Sequence, residues 1–248
     1  MMPSESTTRS RLEAIARPDL GPAPVAGADS EAFLEILSHE LRTPVTTIYG
    51  GARVLAANDL TPDRRRALAA DVSAEAERLY RLVEDLVILV HSERDGIRPL
   101  GEPVAVGRLV AAAVGREAIR HPEVRILVSG DRHAAADRAD EVMVSHVIRN
   151  LLDNAIRYGG DGPIDVVLGS AAEEVTVRVI DGGAPPAGDD QPFTGWSGAR
   201  RTAAARAGAG IGLYVADRLV RAMGGRMWAR PAQRSGAEYG FSLARAGQ

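Results

Sequence analysis

Two amphipathic segments in succession, over residues 33–55 and 62–89, constrain the fold of this chain more than any other feature. In both, apolar residues recur mostly at intervals of three and four, the period of a helix with one buried face. The apolar positions are Phe33, Ile36, Leu37, Leu41, Ile48, Leu55, Leu68, Val72, Leu79, Leu82, Leu86 and Leu89. Thr61 and Pro62 predict the N-cap and first position of the second helix, so the segments predict an antiparallel helical hairpin.

The first helix is expected to begin with an N-cap at Asp29 or Ser30 and to run to about Asn58. In a single hairpin each helix faces only one neighbour, so both apolar stripes cannot be covered. A symmetric dimer that forms a four-helix bundle would cover them. The sequence therefore predicts a homodimer.

The composition excludes several classes of function. The formal charge of −3, from 30 basic and 33 acidic residues, gives no field that would attract nucleic acid. The chain has no cysteine, which excludes disulfides and thiolate chemistry and fits a cytoplasmic protein. No apolar run approaches the roughly 20 residues of a membrane-spanning helix. Residues 1–29, a mixture of Ser, Thr, Pro and Gly, are expected to form a disordered tail.

The character of the sequence changes after a linker with Gly and Pro over residues 95–103. Downstream, the patterns predict helices near 106–119, 140–158 and 210–223, and strands near 124–128, before 137, and at 164–168, 175–180, 226–230 and 239–243, with an irregular stretch over 184–207. The strands come mostly in pairs, which favours an α+β class with a mixed sheet covered on one face by helices. We place the hairpin domain at 30–97 and the second domain at 98–248.

Residues 38–44, inside the first helix, carry the first set of candidate reactive side chains. His39 lies off the apolar stripe, where a lone histidine is usually an ordinary solvated residue. Its neighbours favour a reactive role, because Glu40 can orient an imidazole and Thr43 places a hydroxyl on the same helix face. Pro44 removes a backbone donor and predicts a bend just after the histidine. The segment therefore predicts His39 as a phosphoryl acceptor.

A second set lies on the helix predicted over 140–158. His146, Asn150, Asn154 and Tyr158 recur every four positions and share one face. A plain solvent-facing surface is the alternative, but carboxamides are poor helix formers that a free surface does not favour. Their oxygens suit Mg²⁺, which binds few protein ligands together with phosphates. This face predicts a nucleotide site in which Asn150 and Asn154 hold the metal and Tyr158 stacks on a base.

Two glycine-containing segments complete the candidate site. Asp181 ends a strand and can accept a hydrogen bond from an exocyclic amine, and Gly183 allows the backbone to approach a base. Gly208, Gly210 and Gly212 alternate just before a helix, where backbone amides can point at phosphate oxygens. The glycine pattern is weak alone and becomes specific in chain order with the Asn pair and Asp181.

The four segments together resemble the sensor histidine kinases of two-component signalling. SHELRTP is similar to the H box of that family, NLLDNAIRYG to the N box, DGG to the G1 box and GAGIGL to the G2 box. The resemblance covers about residues 30–245. It implies a dimerisation and phosphoacceptor hairpin followed by an α/β-sandwich ATP-binding domain of the Bergerat (GHKL) fold, the fold of gyrase-type ATPases.

The resemblance also implies a role for each site residue. His39 would be the phosphoacceptor, Glu40 its acid/base partner and Thr43 a water-positioning group in dephosphorylation. The implied ligands of ATP and Mg²⁺ are Asn150 and Asn154 at the metal and phosphates, Tyr158 and Asp181 at adenine, and Gly208, Gly210 and Gly212 in the hinge of the ATP lid. The implied partner is the receiver domain of a response regulator. No segment of this sequence predicts a sensor module, so a separate sensor protein is a further candidate partner.

Departures from the family pattern leave alternatives for the function. Pro185 and Pro186 follow the DGG segment where the family usually has a further glycine, so a stiffer start of the lid is expected. Arg200, Arg201 and Arg206 either contact the γ-phosphate or form a solvated basic loop, and Phe193 alone fits the family's phenylalanine box. The alternatives to a kinase are a phosphatase acting on the regulator and a catalytically weak dimeric scaffold.

Overall fold

The structure, a computed structural model, describes residues 28–57, 60–94, 97–185, 191–192, 210–233 and 236–246. The predicted tail at 1–29 lies almost wholly outside these residues, as do Gly208, Phe193 and the three lid arginines. The boundary at 97/98 stays a prediction. In the described part of the chain, no helix is long and apolar enough to cross a membrane.

Two long helices open the fold, α1 (Ala28–Ala56) and α2 (Pro62–Arg94). The backbone nitrogen of Arg64 donates to the Thr61 hydroxyl at 3.4 Å, as an N-cap does. Helix α1 is continuous through Pro44. The two helices pack antiparallel, and they come so close at Gly51 that a Cβ there would lie 2.4 Å from Val72 Cγ2. The hairpin is therefore built as its periodicity predicts.

The second domain contains three helices and eight strands among the described residues. They are, in chain order, β1 (Glu102–Val104), α3 (Val106–Arg120), β2 (Ile126–Gly130), β3 (Ala136–Ala139), α4 (Glu141–Tyr158), β4 (Ile164–Ser170), β5 (Glu174–Asp181), β6 (Gln191–Pro192), α5 (Gly210–Ala222), β7 (Arg226–Pro231) and β8 (Ala237–Ala244). Six strands form one mixed sheet in the order β2-β4-β5-β8-β7-β6, in which only β2 and β4 are parallel. The predicted α+β class is confirmed.

The alternation along the central strands separates the two faces of the sheet. Val177 of β5 pairs with Phe241 of β8, and both are buried under the helices. On the other face, Gly240 pairs with Trp228, and a Cβ at Gly240 would lie 2.4 Å from Trp228 Cζ2. The absence of a side chain at Gly240 makes room for the indole against the sheet, where Trp228 is 8% exposed.

Two strands were not expected from the sequence. Strand β1 pairs antiparallel with β3 in a separate two-stranded sheet, although its first two residues fall in the predicted linker at 95–103. It has three residues, one of which is Pro103, and only Val104 is buried. A strand this short shows no alternation, and its proline is tolerated at an edge. Strand β6 likewise falls in the stretch predicted to be irregular.

Candidate functional site

Helix α1 presents His39 to solvent and turns the next residue inward. The His39 side chain is exposed, whereas Glu40 is 7% exposed. The Thr43 hydroxyl donates to the backbone oxygen of His39 at 3.3 Å, so it lies one turn along on the same face. The next residue, Pro44, has no backbone N–H to donate to the Glu40 carbonyl, so the helix lacks one regular hydrogen bond there.

Glu40 is held by an arginine of the neighbouring helix. Its Oε2 accepts from Arg78 Nη2 at 2.9 Å, and both side chains are largely buried between α1 and α2. A charge-assisted bond of this kind fixes the carboxylate firmly. In this arrangement Glu40 is paired with Arg78, whereas the resemblance implies His39 as its partner.

The polar face of α4 is positioned by a strong N-cap. The Asp140 carboxylate accepts from the backbone nitrogens of Val142 and Met143 at 2.9 and 3.1 Å. Further along, Asn150 Nδ2 donates to the Gly212 carbonyl at 2.9 Å, which ties α4 to the first turn of α5. Asn154 is 4% exposed, and its side-chain oxygen and nitrogen have no hydrogen-bond partner in the described structure.

One cavity brings most of these residues together where the hairpin meets the second domain. It is lined by Glu40 of α1, by Arg78, Arg81, Leu82 and Asp85 of α2, by Asn150, Asp153, Asn154, Arg157 and Tyr158 of α4, and by Ile211, Gly212 and Leu213 of α5. Because Glu40 follows His39 directly, the candidate phosphoacceptor lies one residue from the cavity wall. The predicted Asn pair and the predicted histidine segment therefore converge from two domains.

The cavity wall carries three arginines, which sequence reasoning did not assign to it. Arg78 pairs with Glu40, and Arg81 Nε lies 3.0 Å from Asp153 Oδ2. Burial at the wall, together with the charges of Arg78 and Arg81, lowers the pKa of Arg157, whereas Asp153 acts in the opposite direction. A signal for Arg157 was available, because it follows Asn154 by three residues on the same helix. No such signal was available for Arg78 and Arg81, because α2 is remote in sequence from α4.

His146, the fourth residue of the predicted polar face, does not line this cavity. It is 8% exposed, and its Nε2 lies 2.5 Å from Asp85 Oδ1 of α2. Arg149 contacts its Nδ1 at 2.8 Å and pairs with Glu84 of α2 at 3.2 Å. His146 is therefore part of the contact between the two domains.

Asp181 and Gly183 lie at the end of β5, outside the cavity. Asp181 is buried, and its Oδ1 accepts from the Gly183 nitrogen at 2.8 Å. The carboxylate side chain packs beside the end of α4, since a Cβ at Gly159 would lie 2.8 Å from Asp181 Cβ. Tyr158, which precedes Gly159, lines the cavity and connects the two places along the chain.

The glycines before α5 are divided by the described range. Gly210 is the first residue of α5, Gly212 lies in its first turn, and Gly208 lies outside the described residues. Gly212 faces Asn150, because a Cβ there would lie 3.4 Å from Asn150 Oδ1. The amino-terminal turn of α5, which favours anions, therefore faces the same cavity as Asn150 and Asn154.

The donor set fits ATP and Mg²⁺. An unpartnered, buried carboxamide costs free energy unless something else satisfies it, and Asn154 faces a cavity with a helix amino terminus and arginines on its walls. No cluster of three His, Asp or Glu residues able to hold a metal occurs among the described residues. Carboxamide oxygens together with phosphates are the ligands that suit Mg²⁺ at such a site.

Two family models match the chain. Residues 29–94 match the His Kinase A (phospho-acceptor) domain, and residues 139–246 match the histidine kinase-, DNA gyrase B- and HSP90-like ATPase family. The two matches together cover more than half of the chain, and they divide it as the hairpin and the sheet domain do.

Curated relatives are sensor proteins. KdpD of Clostridium acetobutylicum is 27% identical over 220 residues, which are 85% of this chain and 24% of that protein. TorS of Escherichia coli is 31% identical over 213 residues, which are 82% of this chain and 22% of that protein. The chain thus spans less than a quarter of the length of these two relatives.

Solved structures show the same fold. The Acinetobacter baumannii histidine kinase AdeS matches with a TM-score of 0.62 and 23% identity over 84% of this chain and 98% of that one. ShkA in complex with AMPPNP matches with a TM-score of 0.55 and 25% identity, over 88% of this chain and 47% of that one. ThkA in complex with the response regulator TrrA matches with a TM-score of 0.56 and 18% identity, over 98% of this chain and 65% of that one. The helical hairpin, the ATPase-type sheet domain and the two family matches agree, and the chain belongs to the sensor histidine kinases of two-component systems.

Proposed function

We propose that this protein phosphorylates His39 with Mg-ATP and then transfers the phosphoryl group to an aspartate of a response regulator. The observation that carries the proposal is the shared cavity. Glu40, which follows His39 directly, lines this cavity together with Asn150 and Asn154. A phosphoryl donor and its acceptor must meet in line, and this cavity is where the two domains meet.

The proposed nucleotide contacts follow the predicted site. Asn150 and Asn154 would hold Mg²⁺ and the phosphates, Tyr158, Asp181 and Gly183 would contact adenine, and Gly208, Gly210 and Gly212 would form the hinge of the lid. Support comes from the unpartnered carboxamide of Asn154, from the match to an ATPase family and from ShkA, whose structure contains AMPPNP. A bound Mg²⁺ would neutralise charge on the phosphates.

In the proposed reaction a ring nitrogen of His39 attacks the γ-phosphorus, so that an N–P bond forms and the P–O bond to ADP breaks. Glu40 accepts a hydrogen bond from the protonated nitrogen on the other side of the ring. To do so, its carboxylate must leave Arg78 and turn toward His39. The guanidinium of Arg157 neutralises charge that develops on the phosphoryl oxygens. The protein therefore contributes position and charge and forms one covalent bond only.

The partners are proposed on the same basis. ThkA forms a complex with the response regulator TrrA, and the match to a phosphoacceptor domain supports a regulator of that class here. We further propose a cytoplasmic protein that receives its signal from a separate sensor.

Exposed apolar side chains on the hairpin support a homodimer. Tyr49 of α1 is 65% exposed and Tyr80 of α2 is 66% exposed, and five more large apolar residues of these helices are at least two-fifths exposed. The five are Leu34, Val45, Val54, Val83 and Val87. A second copy of the hairpin would bury them in a four-helix bundle, and light scattering would then report twice the mass of 26.2 kDa.

The experiment that tests the function is a two-step phosphotransfer assay. The protein is incubated with labelled ATP and Mg²⁺, freed of nucleotide, and mixed with a panel of receiver domains. Rapid movement of label from this chain to one receiver supports the proposal. A chain that binds ATP, gains no label and still associates with a receiver would instead support the scaffold function.

A second activity, dephosphorylation of the regulator, is favoured by the position of Thr43. Its hydroxyl is exposed, one turn from His39, where it can orient water against a phospho-aspartate. Thr43→Ala is expected to slow dephosphorylation of a labelled regulator while the rate of His39 labelling stays the same. Equal loss of both rates would contradict a specific role of Thr43.

A further inference from the structure

Asp85 is a buried carboxylate at the phosphate end of the proposed nucleotide site, and the mechanism gives it no role. It lies on α2 and is 4% exposed. Its Oδ1 lies 2.5 Å from His146 Nε2, and its Oδ2 would lie 3.5 Å from a Cβ at Gly212. The carboxylate thus reaches the first turn of α5, close to Asn150, which contacts the same glycine.

This position is one that favours an anion. The first turn of a helix carries partial positive charge and unpaired backbone donors, and α5 has 13 residues. The unpartnered, buried carboxamide of Asn154 faces the same cavity, so the place has a second group that calls for a ligand. A phosphate group and the Asp85 carboxylate are both suited to it.

Two of the three arginines that line the cavity are already paired with carboxylates in this arrangement. Arg78 is paired with Glu40 and Arg81 with Asp153, while Asp85 is paired with His146. Nucleotide phosphates entering the cavity would therefore meet the carboxylate of Asp85, while two of the three arginines there, Arg78 and Arg81, are already paired with carboxylates. A carboxylate and a phosphate in one cavity repel each other, most strongly where water is excluded.

Contacts beside Asp85 hold it in place. Glu84 pairs with Arg149 at 3.2 Å, and Arg81 with Asp153 at 3.0 Å. These pairs set α2 antiparallel along α4, so the place of Asp85 in the cavity depends on the place of α2. A movement of α2 relative to α4 would withdraw the carboxylate.

We propose that Asp85 is an autoinhibitory side chain, which competes with the phosphates of the nucleotide while α2 is docked on α4. This inference rests on the proposed function, since it takes the cavity to be the phosphate end of an ATP site. It gives the hairpin control over nucleotide affinity, because the hairpin carries the competing charge. The loss of affinity caused by Asp85 should increase with the number of phosphates in the ligand.

The test is calorimetric binding of adenosine, ADP and Mg-ATP to the full chain, wild type and Asp85→Asn. Asparagine keeps the shape and can still bond to His146 but lacks the charge. We expect the variant to bind ATP about fivefold more tightly or better, ADP by a smaller factor, and adenosine within about twofold of the wild type. Asp71→Asn, an exposed site on the same helix, is the matched control and leaves all three affinities unchanged.

Asp85→Ser serves as a second variant if the first folds poorly, and it has the same expected sign. Unchanged ATP affinity in both variants would overturn the inference. So would an equal gain for adenosine, which would indicate domain opening without charge competition, or a Mg²⁺-dependent loss of ATP affinity, which would make Asp85 a metal ligand. ATP binding that is absent from the wild type and all variants would contradict the proposed function as well.

Discussion

Glu40 and Arg78 form a largely buried ion pair between the two helices of the hairpin, with 2.9 Å from Oε2 to Nη2. This pair competes with the role proposed for Glu40, which is to hold a proton of His39. A second carboxylate, Glu75, lies 3.6 Å from the other terminal nitrogen of Arg78. The single charge of Arg78 is thus shared between two carboxylates near the proposed phosphoacceptor.

Replacing Arg78 should destabilise the hairpin. In Arg78→Met the carboxylate of Glu40 stays buried without a cation, and the free energy of unfolding is expected to fall by about 1–3 kcal/mol. Urea unfolding measures the change. Arg66→Met is the control, because its pair with Asp63 is 78% and 92% exposed and is worth at most about 0.5 kcal/mol. Equal effects of the two substitutions would show that the Arg78 pair is not buried in solution.

The two asparagines of α4 should respond differently to the same substitution. Asn154→Leu removes a buried carboxamide that has no partner in the described structure, so the unfolding free energy without nucleotide is expected to stay the same or rise by up to about 1 kcal/mol. Asn150→Leu removes the 2.9 Å bond to the Gly212 carbonyl and should cost about 1–2 kcal/mol.

Both variants should lose the rise in melting temperature that Mg-ATP gives the wild type, since each removes a proposed ligand. Calorimetric melting with and without nucleotide separates the two effects. A full nucleotide-dependent shift in Asn154→Leu would remove Asn154 from the binding site. A loss of stability in that variant as large as in Asn150→Leu would show that its carboxamide has a partner in solution.

Asp217 predicts a specific dependence of stability on pH. Burial on α5 raises the pKa of its carboxyl group, an effect that the hydrogen bond and charge of Arg221 and the charge of Arg218 partly offset. The folded state then binds a proton more tightly than the unfolded state does, so stability falls as pH rises from the ordinary Asp pKa to the raised value. The melting temperature of Asp217→Asn minus that of the wild type should therefore be greater at pH 8 than at pH 4.

Asp131 supplies a control of opposite sign. Hydrogen bonds from the Ser170 hydroxyl and the His133 backbone nitrogen lower its pKa, and they outweigh the opposing effect of desolvation. Its stabilising effect is present above the ordinary Asp pKa and is lost as pH falls through the lowered value. The melting temperature of Asp131→Asn minus that of the wild type should accordingly become more negative from pH 2 to pH 6. The same pH trend in both variants would contradict these environments.

The sequence was informative where the signal is local. The hairpin follows from helical periodicity, and so does α4, which was predicted over 140–158 and runs from Glu141 to Tyr158. Strand β1 was missed because three residues with one proline carry no period, and it exists only by pairing with β3, more than 30 residues later. Its formation is a tertiary effect.

The sequence predicts one helix face of the candidate site, but it does not predict how the other elements are arranged around that face. The Asn pair and Tyr158 share a helix face, which spacing alone gives. The partners of Glu40 and His146 lie 38 and 61 residues away. The first contact depends on how α1 packs on α2, and the second depends on how the hairpin docks on the sheet domain. Local spacing carries no information about either arrangement, so Arg78 and Asp85 could not be assigned in advance.

The central claim is that His39 accepts the γ-phosphoryl group of ATP. The most direct test incubates wild-type and His39→Gln protein with labelled Mg-ATP and measures label on the chain after acid and after base treatment. The account predicts acid-labile, base-stable label on the wild type and none on His39→Gln, which should still bind ATP. Label that persists in His39→Gln, or label on the wild type that is stable to acid, would contradict it.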